Sequence, residues 1–295
     1  MKKIVVLGGS GFVGRHVCEA LNKLGWHVTV ATRRPPARAV QTLPFVDVVK
    51  ADVHNNADLN ALITGHDAVI NLVAILHGNA ESFEKNHHQL PSRIAKTCID
   101  HQVHRLIQVS ALGADLHAPS MYLQSKAKGE IALHDFSAQG LECTIVRPSV
   151  IFGLDDAFIN LFAKLQKWAP VMPLAGAHAQ FQPVWVQDVA HAIVYALQNP
   201  STTHQTYELC GPDIFTLKQL VEIAGVWTQH PRWVIPLPDA IARIQAQAMQ
   251  WLPGPPLMSQ DNLDSMRVPN IAGGQLPNIT QLGVAHPTPL TSIFV

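Results

Sequence analysis

Short apolar runs alternate with stretches of helical spacing through the first half of the chain. The runs lie at 3–7, 27–32, 46–50, 68–72, 105–110 and 143–147. Several are continuously apolar rather than alternating, the pattern of strands covered on both faces. Between them, 14–24, 57–63, 82–101 and 121–138 place apolar residues three and four apart, as core-facing helices do. A repeated strand–helix order predicts an α/β fold with an open, doubly wound parallel sheet.

The pattern changes near Gly153. Prolines cluster at Pro170, Pro173 and Pro183 and again from Pro231 to Pro256, and the elements shorten. The expected division is a sheet domain from 1–151 plus 184–208 and a smaller C-terminal lobe from 152–183 plus 209–295. Residues 237–252 carry Ile241, Ile244, Ala248 and Trp251-Leu252 at helical spacing. They predict a helix facing that lobe's core, or else an apolar roof or docking face. The tail from Val268 holds no Asp, Glu, Lys or Arg and predicts irregular structure with short helices.

Charge narrows the function. Among 295 residues, 21 basic side chains balance 21 acidic ones, and charged residues make up only 14% of the chain. So even a balance argues against broad attraction to nucleic acid. The four cysteines are scattered without a C-x-x-C pair and read as reduced core residues of a cytoplasmic protein. No signal peptide and no apolar stretch of transmembrane length is apparent, leaving peripheral attachment to a membrane open. Sixteen histidines raise the question of a metal. His87 and His88, however, diverge by about 100° on a helix, and His101 and His104 lack a supporting Cys or carboxylate, so no metal site is expected.

The turn Gly8-Gly9-Ser10-Gly11-Phe12-Val13-Gly14 sits between the first strand and the first helix. That order seats a dinucleotide pyrophosphate: Gly8 permits the tight turn, Gly11 lets backbone approach the phosphates, and Gly14 lets the helix pack closely. The free N–H groups at the helix start face the anion. Past the second strand, about 20 residues on, an NAD-preferring fold places an acid for the ribose 2′-OH. This chain has Arg33 and Arg34 there instead, whose forked donors suit a 2′-phosphate. The expected cofactor is therefore NADP(H), with NAD(H) as the alternative. Asp52-Val53 ends the third strand, where the carboxylate either accepts from the adenine amino group or caps a turn. Asn71-Leu72-Val73-Ala74 ends the fourth, at the carboxyl edge where such sheets bind ligands, and Asn71 either lines the cleft or ties strand ends together.

Tyr122 and Lys126 are four apart, on one face of a helix. A phenol ordinarily titrates near ~10, and a neighbouring ammonium favours the phenolate. Lys126 is thus expected to draw Tyr122 towards working pH and make it an acid–base group beside a nicotinamide. Ser110, ending the fifth strand, is placed to polarise a substrate oxygen.

With Gly8–Gly14, Ser110-Ala111-Leu112-Gly113, Tyr122–Lys126 followed by Gly129-Glu130, and Arg147-Pro148-Ser149-Val150-Ile151-Phe152-Gly153, the chain resembles the extended or atypical short-chain dehydrogenases/reductases. Pro183 to Val189 and Gly211-Pro212 continue the likeness. Within that superfamily Phe152 to Asn160 and the tail Leu282-Gly283-Val284 and Thr288-Pro289-Leu290 are similar to the branch holding the NADPH-binding accessory subunit of mitochondrial complex I and its bacterial relatives. The resemblance implies a Rossmann-type domain and bound NADP(H). It also implies a link to respiratory complexes or quinones, hence a place at the inner membrane, and it adds Leu72, Pro148, Ser149 and Ile151 to the cofactor-binding set. Extended members supply a further Asn from the helix before the fifth strand. Here only Asn86 is available, near that helix's start, so the proton relay is expected to be incomplete.

Three functions follow. The first is an NADP(H)-dependent oxidoreductase acting on a small hydrophobic carbonyl or quinone-like substrate, the apolar substrate being suggested by the few charges in the second lobe. The second is a structural or assembly protein that holds NADPH without turnover. The third is a nucleotide-sugar epimerase or dehydratase, which would need a basic cluster for a diphosphate; Arg232, Arg243 and Arg267 are instead scattered.

Overall fold

The computed structural model describes residues 1–35, 37–250 and 258–294. Seven parallel strands build one sheet: β1 (Lys3–Leu7), β2 (His27–Thr32), β3 (Val46–Lys50), β4 (Ala68–Asn71), β5 (Arg105–Val109), β6 (Glu142–Pro148) and β7 (Thr206–Leu209). Their order across the sheet is β7-β6-β5-β4-β1-β2-β3, and every neighbouring pair is parallel. The direction of winding reverses between β1 and β4, and that crevice is where such sheets bind ligands. Ile4, Val5, Val6 and Leu7 are all fully buried. β1 is therefore covered on both sides, which explains why it reads as an apolar run without alternation.

On one face α1 (Phe12–Lys23) and the helix Val186–Gln198 lie side by side, burying Val17, Leu21, Val189 and Ile193 against Ile4, Val6, Val28 and Val30. On the other face Leu59, Ile63, Leu90, Ile94 and Leu133 cover Val5, Leu7, Val69 and Leu106. A separate core gathers Phe152, Ile159, Phe162, Phe181, Leu220 and Phe294. All four cysteines are free and buried.

Two expectations are corrected by packing. Residues 209–295 do not all stay with the smaller core: Ile279, Leu282 and Val284 pack beneath the main sheet, and Asn278 bridges to Glu208 of β7. The helix expected over 237–252 runs Asp239–Gln250, but its buried face is Ala242 and Ala246 against Ala175 and Leu263, while Ile241 and Ile244 are exposed. Trp251 and Leu252 lie outside the described residues. The helix expected at 82–101 is a composite, with Ala80–Phe83 and Leu90–Asp100 joined by a π-helical stretch, Glu84–Gln89. No helix among the described residues is long and apolar enough to cross a membrane.

Candidate active site

The registers of β1, β4 and β5 place Leu7 beside Asn71 and Asn71 beside Gln108. Gly8, Leu72 and Val109-Ser110 therefore emerge in a row at one carboxyl edge, about 10 Å across two strand spacings. Gly8 has a φ of +82°, open to glycine at little cost, and this turns the chain from β1 into the loop. A Cβ on Gly14 would overlap the Gly8 carbonyl and lie 2.5 Å from the Gly9 Cα, and one on Gly9 would meet Val30 of β2 at 2.9 Å. The close packing expected of Gly14 is thus shared: Gly14 seals helix to turn, and Gly9 seals turn to sheet. No side chain caps the start of α1, so the first N–H groups, at Phe12 and Val13, are left for an anion. Exposed Ser10 sits at the tip of the turn. This cradle fits a dinucleotide pyrophosphate.

Around it, Arg33 and Arg34 are exposed just past β2, and among the described residues neither lies within ion-pairing distance of an acid. Asp52 takes the turn role: one carboxylate oxygen accepts from the His54 N–H at 3.0 Å, and Val53 packs into the core beneath. Asn71 ties strand ends, donating to Gln108 Oε1 at 2.8 Å and accepting from the Val73 N–H at 3.1 Å. Leu72 and Val73 form the wall facing Gly8, whose added Cβ would touch both at 3.2–3.3 Å; Ala74 continues that edge, exposed. Arg15 lies over the Phe12 ring and pairs with Asp155 at 2.7 Å, tying the loop after Gly153 to the glycine turn. Pro148 ends β6 and Ile151 is half-buried just beyond. The Ser149 hydroxyl is not free for a cofactor, since it donates to Asn270 Oδ1 at 2.6 Å.

Tyr122 and Lys126 lie in the first two turns of α2 (Met121–Asp135), as their spacing predicts. Lys126 is buried, and its Nζ donates to the Val109 carbonyl at 3.1 Å, beside Ser110. Ser110 is buried too, and its hydroxyl has no partner among the described residues. An orphaned polar atom at the carboxyl edge of the sheet is a candidate partner for a bound group. Ala111, Ala118 and Leu123 close the wall next to Tyr122.

The electrostatics correct one expectation. Lys126 does not pull Tyr122 down: its Nζ lies 6.0 Å from the ring centroid, over the ring. Phe83 and His87 crowd that ring at 6.1 and 5.4 Å, and burial pushes the phenol up to about 12. Burial also lowers Lys126 to about 8, against the upward pull of Glu130. At neutral pH both groups hold their protons. Glu130 in turn accepts a fork from Arg147 of β6, Nε donating to Oε1 at 2.9 Å and Nη2 to Oε2 at 2.5 Å, bracing α2 against the sheet.

Three contributors escaped the sequence reading. Asp261, from the helix Gln260–Ser265, is buried and accepts from the Met121 and Tyr122 N–H groups at 2.6 and 3.1 Å, capping the helix that carries Tyr122. His87 is buried in the π-helical stretch; its Nε2 accepts from the Ile75 N–H at 3.1 Å. Its Nδ1 therefore carries the hydrogen and donates to Ser125 Oγ at 2.9 Å, which donates to the Tyr122 carbonyl at 2.7 Å. Gly129 is the third: a Cβ there would strike the His87 carbonyl, so the glycine sets how closely α2 approaches that stretch. Asn86 is spent elsewhere, bonded to Ser82 and His54. His88 pairs with Glu84.

Burial drives His87 down to about 3. Between pH 3 and 6.5 it stays neutral in the fold but takes a proton on unfolding, so stability falls as pH drops through that window. The expected loss between pH 6.5 and 5 is about 1.6 kcal/mol. Urea unfolding at the two pH values should show wild type losing that much more than His87→Gln; equal losses would mean His87 is not held neutral.

Comparison with known proteins places these features in context. Residues 4–210 match the model of the "NAD dependent epimerase/dehydratase family". The chain is 33% identical over 279 residues to NADH dehydrogenase [ubiquinone] 1 alpha subcomplex subunit 9, mitochondrial, of Arabidopsis thaliana, covering 88% of this chain and 68% of that protein. A ceramide reductase of Caulobacter vibrioides is 28% identical over 237 residues, covering 80% and 74%. Among solved structures, UDP-glucose 4-epimerase of Thermotoga maritima superposes with a TM-score of 0.70 at 17% identity, covering 90% and 96%; at that identity the likeness is one of fold.

Proposed function

Because the chain belongs to the NAD dependent epimerase/dehydratase family of extended short-chain dehydrogenases/reductases, whose members are NAD(P)-dependent oxidoreductases and epimerases, we propose that it reduces a small hydrophobic carbonyl or quinone-like compound with NADPH. The observation that carries this reading is the buried Ser110 hydroxyl, without a partner among the described residues, following the Val109 carbonyl that the Lys126 ammonium holds, one helical turn from a phenol that keeps its proton.

The glycine turn and the start of α1 would hold the pyrophosphate, and Arg33 and Arg34 the 2′-phosphate. Asp52 and Val53 would border the adenine, Leu72, Val73 and Ala74 the adenosine wall, and Pro148 and Ile151 the far end. The nicotinamide supplies hydride when bound. Tyr122 holds a proton at Oη and gives it to the substrate oxygen as negative charge grows there. Ser110 donates a second hydrogen bond to that oxygen and polarises it. Lys126, cationic at pH 7, would offer Nζ to the cofactor ribose. Ala111, Ala118 and Leu123 pack beside Tyr122 without a charged group, which favours a hydrophobic substrate over a charged one.

The epimerase alternative has less support. Arg243 and Arg267 are both drawn to Asp264, which leaves neither free for a diphosphate. A second reading, an NADPH-holding subunit of a respiratory assembly at the inner membrane, draws on the complex I relatives and on Asn86, which is committed away from the relay.

Coenzyme choice gives one test. Arg33→Ser with Arg34→Ser should weaken NADPH binding about 10- to 100-fold, the worth of one or two charge-assisted bonds, while NADH binding stays within about twofold. Fluorescence titration of both coenzymes reads this directly. An unchanged NADPH affinity would remove the NADP preference. The chemistry itself is tested by NADPH oxidation across a panel of ketones and quinones, where turnover with no member would favour the structural reading.

A further inference from the structure

The smaller lobe carries a two-stranded parallel ribbon, Val171–Leu174 beside Trp233–Pro236, with Val171 paired to Trp233 and Pro173 to Ile235. Its inner face follows the rule of alternation, since Met172 and Leu174 are buried in the lobe's core. By the same rule the outer face of a solvated ribbon should be polar. Here Val171, Pro173, Trp233 and Ile235 are all exposed, and Trp233 keeps 83% of its surface in water. Trp168, at the end of α3 (Ile159–Trp168), is 91% exposed. Arg232 Nε donates to the Gln166 carbonyl at 2.9 Å, which seats the start of the second strand against that helix end and makes the surface continuous. Two exposed indoles on elements joined in this way, with Val171 and Ile235 exposed beside Trp233 on the ribbon, mark a binding surface.

Cations rim it. Lys164 and Lys167 are exposed on the last turns of α3, and Arg232 precedes Trp233. Among the described residues none of the three lies within ion-pairing distance of a carboxylate; the acid that follows along the chain, Asp239, begins the next helix.

We propose that this face docks on an anionic lipid surface, with Trp168 and Trp233 at the level of the headgroups and Lys164, Lys167 and Arg232 meeting the phosphates. Indoles are favoured at that depth because one end is apolar and the other donates a hydrogen bond, and each nearby cation adds attraction to an anionic leaflet. Charge argues against a second copy of the chain: a two-fold contact sets a patch against itself and would bring like charges together. Nor do the ribbon's edges invite strand pairing, since Pro173 and Pro236 lack the N–H to extend a ladder. The proposal rests on the reading that the protein works at a membrane, and not on turnover in the cleft.

The test is sedimentation of the full chain with vesicles of phosphatidylcholine alone and of phosphatidylcholine mixed with phosphatidylglycerol, alongside fractionation of the native cells. Wild type should bind the mixed vesicles, weakly at high salt, and bind the neutral ones poorly. Trp168→Ser with Trp233→Ser should cut binding at least about tenfold, and Lys164→Gln with Lys167→Gln about fivefold per charge; NADPH affinity serves as the check that both variants are folded. Failure of wild type to bind mixed vesicles, binding by the variants equal to wild type, or dimerisation through this face in sedimentation velocity would each overturn the proposal. The two failures separate in cells. Variants that stay with the membrane fraction would sink this docking face alone, whereas wild type absent from that fraction would sink the membrane reading itself.

Discussion

Tyr122→Phe is expected to cut NADPH oxidation by about 10²- to 10⁴-fold, the usual contribution of a positioned proton donor, while leaving NADPH affinity within about twofold. The substitution removes one oxygen and keeps the ring that packs against Phe83 and His87, so the fold and the end of α2 should be unchanged. The phenol's elevated value fixes the sign of the pH dependence. At neutral pH the group is almost wholly protonated, ready to act as an acid in carbonyl reduction. The reverse reaction needs the phenolate, whose fraction rises tenfold per pH unit below about 12. Alcohol oxidation should therefore speed up steadily with pH, while reduction should decline once Lys126 loses its proton near pH 8. Comparison of kcat and coenzyme Kd for wild type and variant decides the matter. A variant that turns over normally would remove Tyr122 from the chemistry.

Gly14→Ala is the second large effect. The added methyl would have to overlap the Gly8 carbonyl and sit 2.5 Å from the Gly9 Cα, where carbon atoms need about 3.5 Å or more. Both obstacles are backbone, so no side chain can swing aside. Either the turn opens or α1 tilts away from it, and in both cases the N–H groups of Phe12 and Val13 lose their common aim. NADPH affinity should fall at least about 100-fold, with an overpacking cost of about 1–3 kcal/mol. Fluorescence titration with a parallel unfolding curve separates the two. Unaltered affinity in a folded variant would mean that the turn does not hold the dinucleotide.

Much of this was readable from the chain because the informative groups are local. From Ile4 to Leu7 β1 is fully buried and had to be apolar, and the glycine turn follows it directly. Tyr122 and Lys126 needed only a helix to share a face. What stayed hidden depends on distance and competition. Asp261 meets Tyr122 across 139 residues, and its own surroundings read as an ordinary helix start, with Ser259 and Asn262 forming a capping box. His87 sits where a π-helical stretch adds a residue to the turn, so the spacing of an α-helix misplaces its neighbours. Beside His88 it is weighed only as a metal ligand, and declined, so its support of Ser125 goes unread. The direction of Tyr122's shift was misjudged because proximity of an ammonium in sequence says nothing of burial, and burial won. Ile241 and Ile244 have helical spacing, but the small Ala242 and Ala246 are what the lobe could bury.

A native mass spectrum of freshly purified protein, before and after addition of NADPH, tests the central claim with the fewest assumptions. A single bound dinucleotide bearing the extra phosphate, lost in Gly14→Ala and kept in Tyr122→Phe, is the predicted result. A chain that carries no dinucleotide and takes up none at saturating NADPH would contradict the account at its base, because the residues around Ser110 would then have no hydride to receive.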